Sequence, residues 1–198
     1  MSHAKLRLYS LPLILLATAQ LVSAQTPKGD RSSPNKVPAA VYVETSIKSY
    51  TEAYANWVTA HPEVVLALEK STGGAQVMLH TPFLDYFASD GKSLYSNTSA
   101  PANIDFLRKL PQLGQKKSGS EDGELEPTVG DYLDMFPKLS PYKARILARK
   151  RPVLLAICKD DTPTCVGQNQ ALKEFKGRAA SLGIQVVEVK LSKNPPGE

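Results

Sequence analysis

Residues 151–191 read RPVLLAICKDDTPTCVGQNQALKEFKGRAASLGIQVVEVKL, and the pattern of this stretch decides the fold class. Val153 to Ile157 is apolar at every position, which suits a strand covered on both faces by helices, as in a parallel or mixed sheet. A polar turn holding Pro163 follows. Leu172, Phe175, Ala179 and Leu182 then recur at steps of 3, 4 and 3, one apolar stripe along a helix that Gly183 ends. Ile184, Val186, Val187 and Val189 make the next strand. Strand, helix, strand is a βαβ unit, and α/β proteins place their sites in the loops at the carboxyl ends of such strands.

Both cysteines of the 198-residue chain flank that loop, Cys158 closing the strand and Cys165 opening the helix. In an exported chain with two cysteines a disulfide is the default, and the proline-containing loop between them can turn back far enough to bring the two Cβ atoms together. Closing so small a ring is worth roughly 2.5 kcal/mol of loop entropy. A second use of the pair is thiol–disulfide exchange. A thiol at a helix N-terminus has its thiolate favoured by unpaired N–H groups, so Cys165 is the candidate nucleophile and Cys158 the resolving thiol. The spacing leaves a structural bridge and a cycling pair both open.

Export follows from the N-terminus. Lys5 and Arg7 form a charged region, Leu8 to Val22 an apolar one, and Val22-Ser23-Ala24 a cleavage site of small residues. The apolar run is short for a span of about 20 residues, so the expectation is a cleaved signal peptide and no stable membrane insertion afterwards. The protein is then periplasmic or secreted. Of the formal charge of +5, Lys5 and Arg7 supply two, leaving +3. The remaining Lys and Arg are scattered except around Arg145–Arg151, where they complement the negative pole of a helix, so nucleic acid is not expected as a partner.

Gln25 to Glu44 begins with prolines among small polar residues and reads as a flexible tether. Ile47, Tyr50, Tyr54 and Trp57 then line one face of a helix, read as core-facing because rings of this size dominate buried area. His61-Pro62 breaks it, and a second helix runs to Gly73-Gly74. Gln76–His80 and Phe83–Phe87 read as strand about Thr81-Pro82, Ser89-Asp90-Gly91-Lys92 as a hairpin turn, and Leu94-Tyr95 as the returning strand. Asn97-Thr98-Ser99 is a glycosylation sequon, making Asn97 a candidate modification site. Pro101 opens a helix with Ile104, Leu107 and Leu110 as its stripe, ending near Pro111. Thr128 caps a short helix over Val129, Leu133 and Phe136, and Ser140 caps another whose first residue is Pro141, with Tyr142, Ile146 and Leu147 facing inward.

The expected organisation is therefore a signal peptide over 1–24, a tether over 25–44, helices plus a β-hairpin over 45–112, a loop or linker over 113–127, an α/β (βαβ) unit over 128–192 and a tail over 193–198. No metal site is expected, because His3 falls in the leader and His61 and His80 have no ligand spacing. No cofactor is expected either. Hydrolase chemistry lacks its motifs: there is no Gly-x-Ser-x-Gly elbow and no phosphate-cradling glycine loop.

The run PVLLAICKDDTPTCVGQNQALKEF resembles the strand–motif–helix core of the thioredoxin-like superfamily, whose motif is Cys-x-x-Cys. Thr162-Pro163-Thr164-Cys165 occupies that frame, with threonine in place of the attacking cysteine. Thr81-Pro82-Phe83 to Leu110 resembles the second half of the same fold, a proline-led strand, a hairpin strand and a helix, but precedes the βαβ unit. The resemblance implies an α/β fold with a thioredoxin-like unit at its C-terminus and a permuted order. It also implies thiol–disulfide exchange on a thiol substrate or protein partner. The alternative is a non-catalytic exported module for binding or envelope maintenance, with the cysteines as a staple.

Overall fold

A computed structural model describes residues 40–71, 80–113, 127–159 and 162–197, apart from the side chains of 68–71. All lie in one compact unit, Asn35–Glu198. The expected leader, most of the tether, the strand from Gln76 to Leu79, and most of the 113–127 loop fall outside the described residues.

Five strands form one mixed sheet: β1 Ala40–Ser46, β2 Phe83–Phe87, β3 Ser93–Asn97, β4 Val153–Lys159 and β5 Gln185–Ser192, in the order β1-β5-β4-β2-β3. β1, β5 and β4 are mutually parallel, whereas β2 runs antiparallel to β4 and β3 antiparallel to β2. Strands from before and after the 113–127 stretch thus share hydrogen-bonded neighbours. Residues 45–112 and 128–192 contribute strands to a single sheet within that compact unit.

Ala40–Glu44, expected in the tether, belong instead to edge strand β1, with Val41 opposite Val187 and Val43 opposite Val189. The reason is alternation: Val41, Val43 and Thr45 point inward while Tyr42 is exposed, and the parallel pairing with β5 satisfies the backbone.

Helices cover both faces. On one lie α1 Ile47–Ala60, α2 Pro62–Ser71, α4 Val129–Asp134, a 3-10 turn Pro137–Leu139 and α5 Ser140–Ala148. On the other lie α3 Ala100–Leu113 and α6 Pro163–Ala179. The first face is aromatic: Tyr50 stacks on Phe136 at 5.3 Å between ring centroids, and Trp57 on His61 at 5.0 Å. The expected stripe Ile47-Tyr50-Tyr54-Trp57 is packed here. Burial of Tyr50 holds its phenol well above the ordinary tyrosine range. His61 ends α1, its Nδ1 2.9 Å from the Trp57 carbonyl oxygen.

Three local expectations are corrected. α3 runs through Pro111 to Leu113, because a proline in the last turn forfeits only one donor. α5 is capped at Leu139 rather than Ser140, since the 3-10 turn already delivers a helical backbone there. Leu147 is 39% exposed, so only Ile146 of that helix is fully buried.

β2 is buried at all five positions, Asp85 among them; the Ser93 hydroxyl donates to its Oδ1 at 2.7 Å. Among the described residues no helix is long and apolar enough to cross a membrane.

Candidate functional site at the strand-to-helix loop

β4 is a strand because its run is apolar on both sides: Val153, Leu155 and Ile157 join the aromatic face, Leu154 and Ala156 the face under α3 and α6. By the same alternation Cys158 points toward α6. Thr162 has an extended backbone and precedes Pro163, which occupies the first helical position where its missing N–H is harmless. The Thr162 hydroxyl donates back to the Lys159 carbonyl at 3.3 Å, and the Cys165 N–H donates to the Thr162 carbonyl at 2.9 Å. This bend brings the ends of β4 and α6 together, and Cys158 and Cys165 form a disulfide with their Cα atoms 5.6 Å apart. Both are buried, Cys158 at 6% exposure and Cys165 at 2%. The intervening Asp160 and Asp161 lie outside the described residues.

The proline-led strand arrives beside this loop. In the antiparallel β2–β4 pair Phe83 is opposite Ile157, which sets Pro82 level with Cys158. The Thr81–Pro82 peptide bond is cis.

Two residues that no motif or spacing singled out complete the site. Gln168 on α6 and Asn103 on α3 are both fully buried. Gln168 Nε2 donates to the Phe83 carbonyl at 3.2 Å and lies 3.6 Å from Cys158 Sγ, within hydrogen-bond reach of a sulfur. Asn103 Nδ2 donates to Gln168 Oε1 at 2.7 Å and to the Asn97 carbonyl at 3.3 Å, and the Tyr95 hydroxyl donates to Asn103 Oδ1 at 2.9 Å. The amide orientations are fixed by chemistry. A backbone carbonyl can only accept, so the Asn97 oxygen requires the NH2 of Asn103, and the Phe83 oxygen requires the NH2 of Gln168. The group facing Cys158 Sγ is therefore a donor. Burial, and then the nearby Asp105 carboxylate, raise the Tyr95 phenol above its usual value and keep it protonated as the donor at the outer end.

This chain runs from β3 through α3 and α6 to β4. α3 and α6 come close enough for it because Gly167 lies at their crossing, where an added Cβ would meet Ile104 Cδ1 at 3.2 Å.

A signal for both residues was present. Cys165, Gln168, Leu172, Phe175 and Ala179 follow at steps of 3, 4, 3 and 4, so Gln168 continues the apolar stripe by one turn. Asn103 stands in the same relation to Leu107 and Leu110. A polar amide at a core position needs buried partners.

No family model, curated protein or solved structure matches this chain.

Asn97 ends β3, far along the chain from the cysteines; its Oδ1 accepts the Ser99 N–H at 2.8 Å, a tight local turn across the sequon. Lys150 and Arg151 line a separate cleft of about 460 Å³ with Asp90 and Gly91. That cleft opens where β4 begins, at the end of the strand opposite the disulfide. No cluster of His, Cys, Asp and Glu able to hold a metal occurs among the described residues.

Proposed function

We propose that the chain is an exported thioredoxin-like protein in which Cys158–Cys165 is a structural staple, and that it acts as a non-catalytic binding or envelope-maintenance module toward a protein partner. The thioredoxin-like part of this reading draws on the sheet order. A parallel strand–helix–strand unit, β4-α6-β5, stands next to a proline-led strand, a hairpin strand and a helix, β2-β3-α3, with the two halves reversed along the chain. Export rests on the charged and apolar N-terminal pattern.

One observation carries the staple: both sulfurs are buried, while the helix-opening position that would present an attacking thiol in Cys-x-x-Cys holds Thr162. Exchange proceeds by attack of a thiolate on an accessible sulfur, and a bridge shielded on both sides resists it. The competing reading, exchange through Cys165 with Cys158 resolving, is favoured by the place of Cys165 in the first turn of a 17-residue helix.

A redox titration against glutathione and dithiothreitol separates the two. A staple is expected to have a potential below about −300 mV and to leave insulin unreduced. A potential near that of the exporting compartment, with insulin reduction lost in Cys165→Ser, would establish the cycling pair instead.

A further inference from the structure

The amide chain ends on sulfur, and this gives Gln168 a role beyond packing. Its Oε1 is occupied by Asn103 and one Nε2 proton by the Phe83 carbonyl, which leaves the second proton for Cys158 Sγ. We propose that Gln168 is the positioning residue for the Cys158 sulfur: its amide N–H holds Sγ in the bridged protein and stabilises the Cys158 thiolate once the bridge is opened. This rests on the disulfide site proposed above and adds the residue that sets its chemistry.

The physical argument is one of differential binding. An amide donor interacts weakly with a disulfide or thiol sulfur and more strongly with a thiolate, as any hydrogen bond gains when its acceptor is charged. The donor is already desolvated and aimed, because two backbone carbonyls and the Tyr95 hydroxyl fix every amide in the chain. No reorganisation is needed when charge appears on sulfur. Opening the bridge with a dithiol breaks one S–S bond. The reagent gives up two electrons and two protons and closes its own disulfide, leaving Cys158 and Cys165 as thiols, and alkali then removes the Cys158 proton.

Among the described residues the titratable group nearest Cys158 is the Cys165 thiol once the bridge is open, and other charged groups lie on each element around it. On β5 its registered neighbour is Lys190, 3.6 Å from Glu44 of β1, and beyond it Glu188 pairs with Lys176. β2 offers Tyr86 on the same face, held protonated by burial. Lys159 follows on β4 and is exposed, α3 carries Asp105, Arg108 and Lys109, and the first turn of α6 is uncharged. None of these is altered when Gln168 is replaced, and the Cys165 Cβ shift is followed in the same spectra, so that a displacement of the Cys158 midpoint with that of Cys165 in place reports the amide.

The test follows the carbon-13 Cβ shift of Cys158 against pH in fully reduced full-length protein, beside circular dichroism as a check of folding. Gln168→Met, similar in shape but without a donor, is expected to raise the midpoint of Cys158 ionisation by about one pH unit, a tenfold change. Asn103→Ser, which keeps Gln168 but removes the amide that orients it, is expected to move it in the same direction by less. Gln170→Met, whose exposed amide donates to Glu174, is expected to leave it unchanged. A folded Gln168→Met protein with the wild-type midpoint overturns the proposal, as does an equal shift in Gln170→Met. If Gln168→Met does not fold, Asn103→Ser decides, and no shift there overturns it. An easily reduced wild type would sink the staple reading while leaving these differences intact; an unchanged Gln168→Met would do the reverse.

Discussion

The two faces of the sheet are closed by different means. Under α1, α4 and α5 the contact is largely aromatic, with Tyr50, Phe136, Phe83, Phe87 and Tyr132 in ring contact and the buried Asp85, bonded to Ser93, as a local polar exception. Under α3 and α6 the apolar cluster is interrupted by two buried amides and flanked by a disulfide. An apolar face is held by area and volume, and many substitutions of similar size satisfy it. A buried polar chain is held by direction, since each donor and acceptor has one partner and loses it as a unit. The aromatic face thus supplies bulk stability, and the amide-and-sulfur face specifies how two helices and a loop meet the strands.

The largest expected effect is on the aromatic face. Phe136→Ala removes a fully buried ring stacked on Tyr50, and urea unfolding is expected to show a loss of about 3–5 kcal/mol. A loss below 1 kcal/mol would mean that this face collapses around the gap and is less rigid than described.

Next comes the bridge. Replacing Cys158 and Cys165 together by alanine is expected to cost about 2.5 kcal/mol, read as a lower melting temperature, because the open loop regains its entropy in the unfolded chain. Equal melting of the oxidised wild type and the double variant would take the staple out of the comparison.

Alkaline pH sharpens it further. The folded-state phenol of Tyr50 is raised above its unfolded value, so its contribution to stability is fully present below about pH 10 and is lost as pH rises beyond it. Tyr50→Phe is expected to flatten that alkaline decline, monitored by denaturant midpoints across pH. Tyr95, raised less by burial, is expected to matter less.

The smallest effect contrasts two glycines of α6. An added Cβ at Gly177 meets nothing within 4 Å, and Gly177→Ala is expected to stabilise by about 0.5–1 kcal/mol through helix propensity. At Gly167 the same gain is offset by contact with Ile104 Cδ1. Gly167→Ala is expected to gain less than Gly177→Ala; an equal gain would show slack at the helix crossing.

The sequence by itself determined the elements. The continuous apolar run of β4, the stripe Leu172-Phe175-Ala179 and the β-branched β5 are local patterns that need no knowledge of distant partners, whereas Leu182 and Gly183, expected to extend and end that helix, lie past its last residue, Ala179. The cysteines flanking one bend made their pairing an expectation of the same local kind. Only the tertiary structure decided that the β2–β3 hairpin enters the sheet beside β4, that Ala40–Glu44 pair with β5, and that Gln168 and Asn103 are buried together. Strand order and amide pairing join residues tens of positions apart. Polar side chains on a helix read as solvated until the element packed against them is known. Period reports which face a residue occupies; what lies against that face is a property of the assembled fold.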